Sequence, residues 1–167
     1  MESLSEVGTL NTIAQVTITL LGFTGIVVIF GSRAVSEWSA TERLRFYALV
    51  APTLTAFFCS FVPVLVSLIS TQITSTWMIS NAVLGTLHLE NIVVFFLNPE
   101  RAEITAGQRI NGLIGMTTIV AHFLAALGVI PWLSFVYIFG LLQQTWIGVH
   151  NFLLLFVPTI KRAEESG

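Results

Sequence analysis

The chain has no aspartate, a single cysteine and a single lysine in 167 residues. Without aspartate, aspartyl-protease dyads and Asp-rich Mg²⁺ motifs are excluded. Cys59 alone can form neither an intramolecular disulfide nor a cysteine zinc site. Lys161 lies in the tail, so no intramembrane lysine offers a Schiff base. Charge of either sign is scarce. Charged residues make up 10% of the chain, whereas an ordinary soluble domain carries roughly 25%. The formal net charge is -2 and no basic block exists, which excludes nucleic-acid binding through phosphates. No GxSxG elbow and no Gly-rich phosphate loop is present. No catalytic motif of an enzyme follows from these residues.

What the chain does have is long apolar runs. Hydrophobic residues reach 54%, and the mean hydropathy is +0.86. Such a composition cannot wet the surface of a soluble domain of this size. A spanning helix needs about 20 mostly apolar residues. Five segments qualify, at about residues 10–30, 46–69, 76–97, 110–130 and 132–157. The runs are continuous and do not alternate every second residue, so helices and not a β-barrel are predicted. The expected fold is therefore a single all-α transmembrane bundle of about five helices in contact with the lipid bilayer.

Boundary signals fit that reading. Ser39-Ala-Thr-Glu42 and Thr105-Ala-Gly-Gln108 fit capping boxes opening the second and fourth helices. Asn98-Pro99 fits the end of the third. Pro131 marks a very short last connection, where one long broken helix would reduce the count to four. Pro52 and Pro63 predict a kinked second helix. Trp38, Trp77 and Trp132 fall at expected helix ends, where amphipathic rings sit at the headgroups. Trp146 falls deep in the fifth span.

Charge placement gives an orientation. With an outside N-terminus and a cytoplasmic C-terminus, every basic residue is inside: Arg33, Arg43 and Arg45, then Arg101 and Arg109, then Lys161 and Arg162. The first segment is too long in its apolar core, and too poor in basic residues before it, for a cleaved signal peptide. Glu37, Glu42, Arg43 and Arg45 read as a solvated, salt-bridged helix start.

Ionisable and amide groups inside a membrane are costly, which makes them the first candidates for function. The third helix carries Asn81, His88 and Asn91 on one face, with Glu90 pointing away from that stripe. The fourth holds His122. The fifth holds Gln143, Gln144, His150 and Asn151, with Gln143, Trp146 and His150 sharing a face. By helix rise, His88, Glu90 and His150 lie roughly 3 to 7 Å to the cytoplasmic side of mid-membrane, and His122 roughly 3 Å to the other side.

Four readings of this set compete. In the first, the groups bond between helices and hold the bundle. In the second, they line an ion, proton or solute path through Glu90, His88, Asn91, Asn81, His150 and Gln143. His88, Glu90 and His150 offer donors suited to a metal such as Zn²⁺ or Fe. His88 and His150 lie at depths compatible with a bis-histidine haem. On the first helix, Gly8, Gln15 and Gly22 repeat every seven residues, and Gly25 continues near that edge. This spacing predicts close packing inside the bundle. The alternative is an interface between copies of the chain, or a pore lining with Thr12, Gln15 and Thr19 facing water.

The first helix reads Gln15-x-x-x-Thr19-x-x-Gly22-Phe23-x-Gly25-Ile26-Val27, ending Phe30-Gly31. This resembles the opening helix of small uncharacterised bacterial multi-pass inner-membrane proteins. The resemblance implies a bacterial inner-membrane location and attaches no activity. Three functions are consistent with the residues: a small oligomeric channel or transporter for an ion or small solute, a non-catalytic accessory subunit of a membrane complex, or a haem- or metal-binding redox protein.

Overall fold

A computed structural model of the chain describes residues 6–30, 35–70, 72–98 and 104–165. It is all-helical among those residues. Six α-helices follow a simple order: α1 Val7–Phe30, α2 Ala40–Cys59, α3 Val62–Ser67, α4 Ile73–Leu97, α5 Ala106–Ala126 and α6 Leu133–Glu165. The short α3 continues the line of α2, so the bundle has five segments long and apolar enough to cross a membrane. Of the basic residues used above for orientation, Arg33 and Arg101 lie outside the described residues.

Both capping boxes are made. The Ser39 hydroxyl accepts the Glu42 N–H at 3.2 Å, and the Glu42 carboxylate accepts the Ser39 N–H at 2.7 Å. Thr105 and Gln108 repeat the exchange at 3.2 and 3.0 Å. These caps start α2 and α5 six and four residues earlier than hydropathy alone places them. A capped first turn is helical whether or not it is apolar. Gly128 adopts φ +72° in the turn after α5, which separates α5 from α6 and makes the count five rather than four.

Three prolines explain how α2, α3 and α6 lock together. A proline has no N–H to give to the carbonyl four residues back. Pro52 leaves the Ala48 carbonyl, and the Asn151 amide of α6 donates to it at 3.4 Å. Pro63 leaves the Cys59 carbonyl, and the Tyr137 hydroxyl of α6 donates to it at 2.6 Å. In α6, Pro158 leaves the Leu154 carbonyl, and the Arg45 guanidinium of α2 donates to it at 3.2 Å. With no water available in hydrocarbon, a freed carbonyl must be met by a neighbouring helix. Pro52 sits within a continuous α2, whereas the helix breaks at Ser60 and Phe61, just before Pro63. Arg45 therefore departs from the expected solvated helix start and reaches into the bundle.

The interior mixes an apolar core with many polar side chains, and the exterior is rich in large apolar residues. Asn81, His88, His122, Gln144 and Tyr137 are wholly buried, while Ile29, Leu97 and Leu113 are at least 70% exposed. Trp77, near the start of α4, turns inward and is buried in the core, its ring centroid 5.7 Å from that of Tyr137. Trp146 faces outward despite its depth along the chain.

Candidate functional site

A cavity of about 50 Å³ lies between α2, α4, α5 and α6. It holds about three to five water-sized molecules. Its wall is mostly apolar, from residues such as Pro52, Ile92, Phe95 and Ile147, with His88, Asn91, Asn111 and Gln144 as polar residues bordering it. Gln108 and Asn151 complete the polar set. All these residues belong to the half of the bundle where α2 and α5 begin and α4 and α6 approach their ends.

Most of these polar groups are committed. Gln108 donates to Asn151 at 2.9 Å while its oxygen caps α5. Asn151 donates to the Ile147 and Ala48 carbonyls. Asn91 donates to Thr55 at 3.0 Å, joining α4 to α2. Two lining residues differ. Both ring nitrogens of His88, and both the oxygen and nitrogen of the Gln144 amide, are buried with no hydrogen-bond partner. Leaving such groups unpaired costs about 1–3 kcal/mol each.

Polar groups continue beyond the cavity. The His88 and His122 ring centroids are 6.1 Å apart, edge to face. The His122 Nδ1 lies 2.8 Å from the Asn81 amide oxygen. Asn81 spends its amide hydrogens on the Trp77 and Leu133 carbonyls, at 2.8 and 3.0 Å. Its oxygen must therefore accept, so in the neutral ring Nδ1 carries the proton and Nε2 is left as an acceptor. That Nε2 is buried and unpartnered. The column thus runs from the cavity through His88, His122 and Asn81 to the first residue of α6.

A glycine stands opposite each histidine. A Cβ at Gly115 would meet His88 Nε2 at 3.3 Å, and one at Gly107 would meet His150 Nε2 at 3.1 Å. A Cβ at Gly85 would lie 2.9 Å from that of His122, and one at Gly140 would overlap the His122 ring.

The expected site residues are thus only partly brought together. Asn81 and His88 share the interior, and Asn91 lines the cavity with His88. Gln143 is buried beside them, its amide 3.5 Å from the Asn111 carbonyl. Glu90 is exposed on α4. His150 is half-buried against Trp146 and Gly107. The metal set of His88, Glu90 and His150 is therefore not assembled, and no group of three metal-ligating side chains occurs among the described residues. Nor do His88 and His150 face one another: the α5 glycines they pack against are eight residues apart, roughly 12 Å along the helix.

Sequence reasoning noted His122 and Gln144 among the intramembrane polar groups but left them out of the path, and it did not weigh Gln108 or Asn111 as site residues. The signal was present on α5. Gln108, Asn111, Gly115, Thr118, His122 and Ala125 recur at offsets of three and four, one inward stripe. Reading Gln108 only as a cap concealed its start.

The glycines of α1 reverse the favoured packing reading. A Cβ at Gly8, Gly22 or Gly25 would meet nothing within 4 Å. Gln15 is exposed between them, about 5 Å from the midpoint of α1 by helix rise. Thr12 and Thr19 are exposed too, their hydroxyls turned onto the Gly8 and Gln15 carbonyls of their own helix. The inward face of α1 is instead Leu10, Ile13, Ala14, Thr17 and Thr24. Comparison with family models, curated proteins and solved structures returns no match.

Proposed function

We propose that this protein is a small oligomeric membrane channel or transporter that moves a solute by way of the cavity. One observation carries the reading: His88 and Gln144 line the same cavity, wholly buried and unpartnered. Polar groups that only tie helices together are paired, as Asn81 and Asn151 are here. Groups kept unpaired at a cavity wall are suited to an incoming solute. The column through His88, His122 and Asn81 supports a route toward the far end of the bundle. The outward stripe of Gly8, Gln15, Gly22 and Gly25 supports assembly of copies through α1, because α1 takes no part in lining the cavity. The basic residues favour a cytoplasmic location for the cavity half, and the first-helix resemblance favours a bacterial inner membrane.

The test is efflux of a mixed small-solute load from proteoliposomes. Wild-type protein is expected to release solutes faster than empty vesicles, and His88→Leu to return release to background. Equal release by wild type, His88→Leu and empty vesicles would sink the reading.

A second reading, an accessory subunit, has one observation in its favour. Glu90 is exposed on α4, about 7 Å from the helix midpoint, with Tyr47 of α2 close enough to feel its charge. A carboxyl group there gains from a partner helix carrying a donor. Co-purification of a second membrane polypeptide that is lost in Glu90→Leu would support this reading over the first.

A further inference from the structure

We infer that the solute taken by the cavity is a small uncharged molecule that both donates and accepts hydrogen bonds, of the class of short amides and ureas. The inference rests on the proposed transport reading and specifies its substrate.

Charge decides the class first. No Lys, Arg, Asp or Glu lines the cavity. Glu90, the one carboxylate in α4, is exposed and is not itself a lining residue, though it lies near Tyr47, which is. An ion leaving water needs opposite charge or a ring of free carbonyls in its place. The backbone carbonyls of three lining residues are already engaged: Ala48 and Ile147 by Asn151, and Asn111 by Gln143. Nothing there replaces the hydration shell of a bare cation, and no fixed cation faces an anion.

The unpaired groups decide the rest. Gln144 offers one acceptor oxygen and an amide NH₂ that donates. A neutral His88 offers one donor and one acceptor. A ligand that satisfies them must carry both functions within a few atoms of each other. The primary amide group does, and so does urea. The cavity volume of about 50 Å³ limits the ligand to a few non-hydrogen atoms. The apolar wall of Pro52, Phe95 and Ile147 accepts a methyl group, which favours acetamide over urea. The limit on binding energy per atom holds so small a ligand to affinities no tighter than about tens of micromolar, so the assays run at millimolar concentration.

The experiment uses the full-length protein with acetamide and urea as probes. Proteoliposomes are subjected to acetamide or urea gradients and followed by stopped-flow light scattering. K⁺, Cl⁻ and proton fluxes are read in parallel with ion-sensitive dyes. Binding is read separately, as acetamide protection against thermal unfolding in detergent. Acetamide permeability is expected to exceed that of empty vesicles by about tenfold or more. Gln144→Leu is expected to lose that gain, since one lost buried hydrogen-bonding group is worth about a factor of ten. Gln144→Met, closer in shape, guards against a folding defect and is expected to behave alike. Ion fluxes stay at background. Acetamide protection without flux, abolished in Gln144→Met, would uphold the ligand class and overturn the transport reading. Ion flux abolished by Gln144→Met, with acetamide inert, would overturn the ligand class and leave transport standing. Neither protection nor flux with acetamide or urea would overturn the inference.

Discussion

Gly140 has no side chain where the His122 ring lies; a Cβ there would overlap Nε2 and stand 2.5 Å from Cε1 and 3.2 Å from the Leu84 side chain. His122 cannot yield easily, because its Nδ1 is held by Asn81. Gly140→Ala is therefore expected to destabilise the bundle by about 1–3 kcal/mol, the usual cost of overpacking. Gly22→Ala, with open space around it, is expected to leave the stability of a single chain unchanged. Thermal unfolding of both variants in the same detergent checks the contrast. A second contrast separates structural from functional polar groups. Asn81→Leu removes partners from His122 and from the Trp77 and Leu133 carbonyls, and is expected to cost about 1–3 kcal/mol. Gln144→Leu removes a group with no partner, and is expected to be neutral or stabilising while flux falls, the trade-off typical of a binding residue. At this scale the residue types were legible in the sequence, because an amide or imidazole within an apolar run announces itself. Which of them meet was not. Pairing of His122 with Asn81 depends on the rotation of two helices about their axes. Helix spacing fixes faces within one helix and leaves open which faces oppose each other.

The helices themselves were largely legible, and the reason is physical. Long apolar runs and capping boxes are local signals, and both capping boxes form as the residues dictate. What the local signals leave out is the use of proline. Pro52, Pro63 and Pro158 each free a carbonyl, and each carbonyl is taken by a side chain across the interface of the second span with α6. A proline can be read from sequence, but the donor that compensates it is remote, as in the separation of Tyr137 from Cys59 by 78 positions. This arrangement makes a testable coupling. Tyr137→Phe leaves the Cys59 carbonyl unmet and is expected to cost about 1–3 kcal/mol. Pro63→Ala supplies an N–H to that carbonyl. In the Pro63→Ala background the cost of Tyr137→Phe is therefore expected to shrink toward zero. A double-mutant cycle by reversible unfolding in mixed micelles measures the difference. Equal costs in both backgrounds would show that the hydroxyl does not compensate the proline.

At the scale of the whole molecule the bundle is divided between four elements of the cavity and one outer helix. α2, α4, α5 and α6 build the cavity walls, while α1 rests on α2 and α6 and leaves Gln15 exposed on its outer face. Lipid tails offer no hydrogen bond to an amide, so Gln15 gains when another protein surface covers it. A second copy of α1 is self-complementary: an amide both donates and accepts, and Gly8 and Gly22, seven residues to either side, let two backbones approach. Association of this kind is driven by packing and interhelical hydrogen bonds rather than by burial from water. On the proposed assembly through α1, Gln15→Leu and Gly22→Leu should weaken self-association by different routes, one by loss of the amide pair and one by separating the backbones. Energy transfer between labelled copies in lipid vesicles measures it. The double variant is expected to lower apparent association by about tenfold, for a combined loss of roughly 1–2 kcal/mol, with monomer stability unchanged. If transfer in the double variant equals that of wild type, α1 is not the contact, and Glu90 on α4 becomes the next surface to substitute.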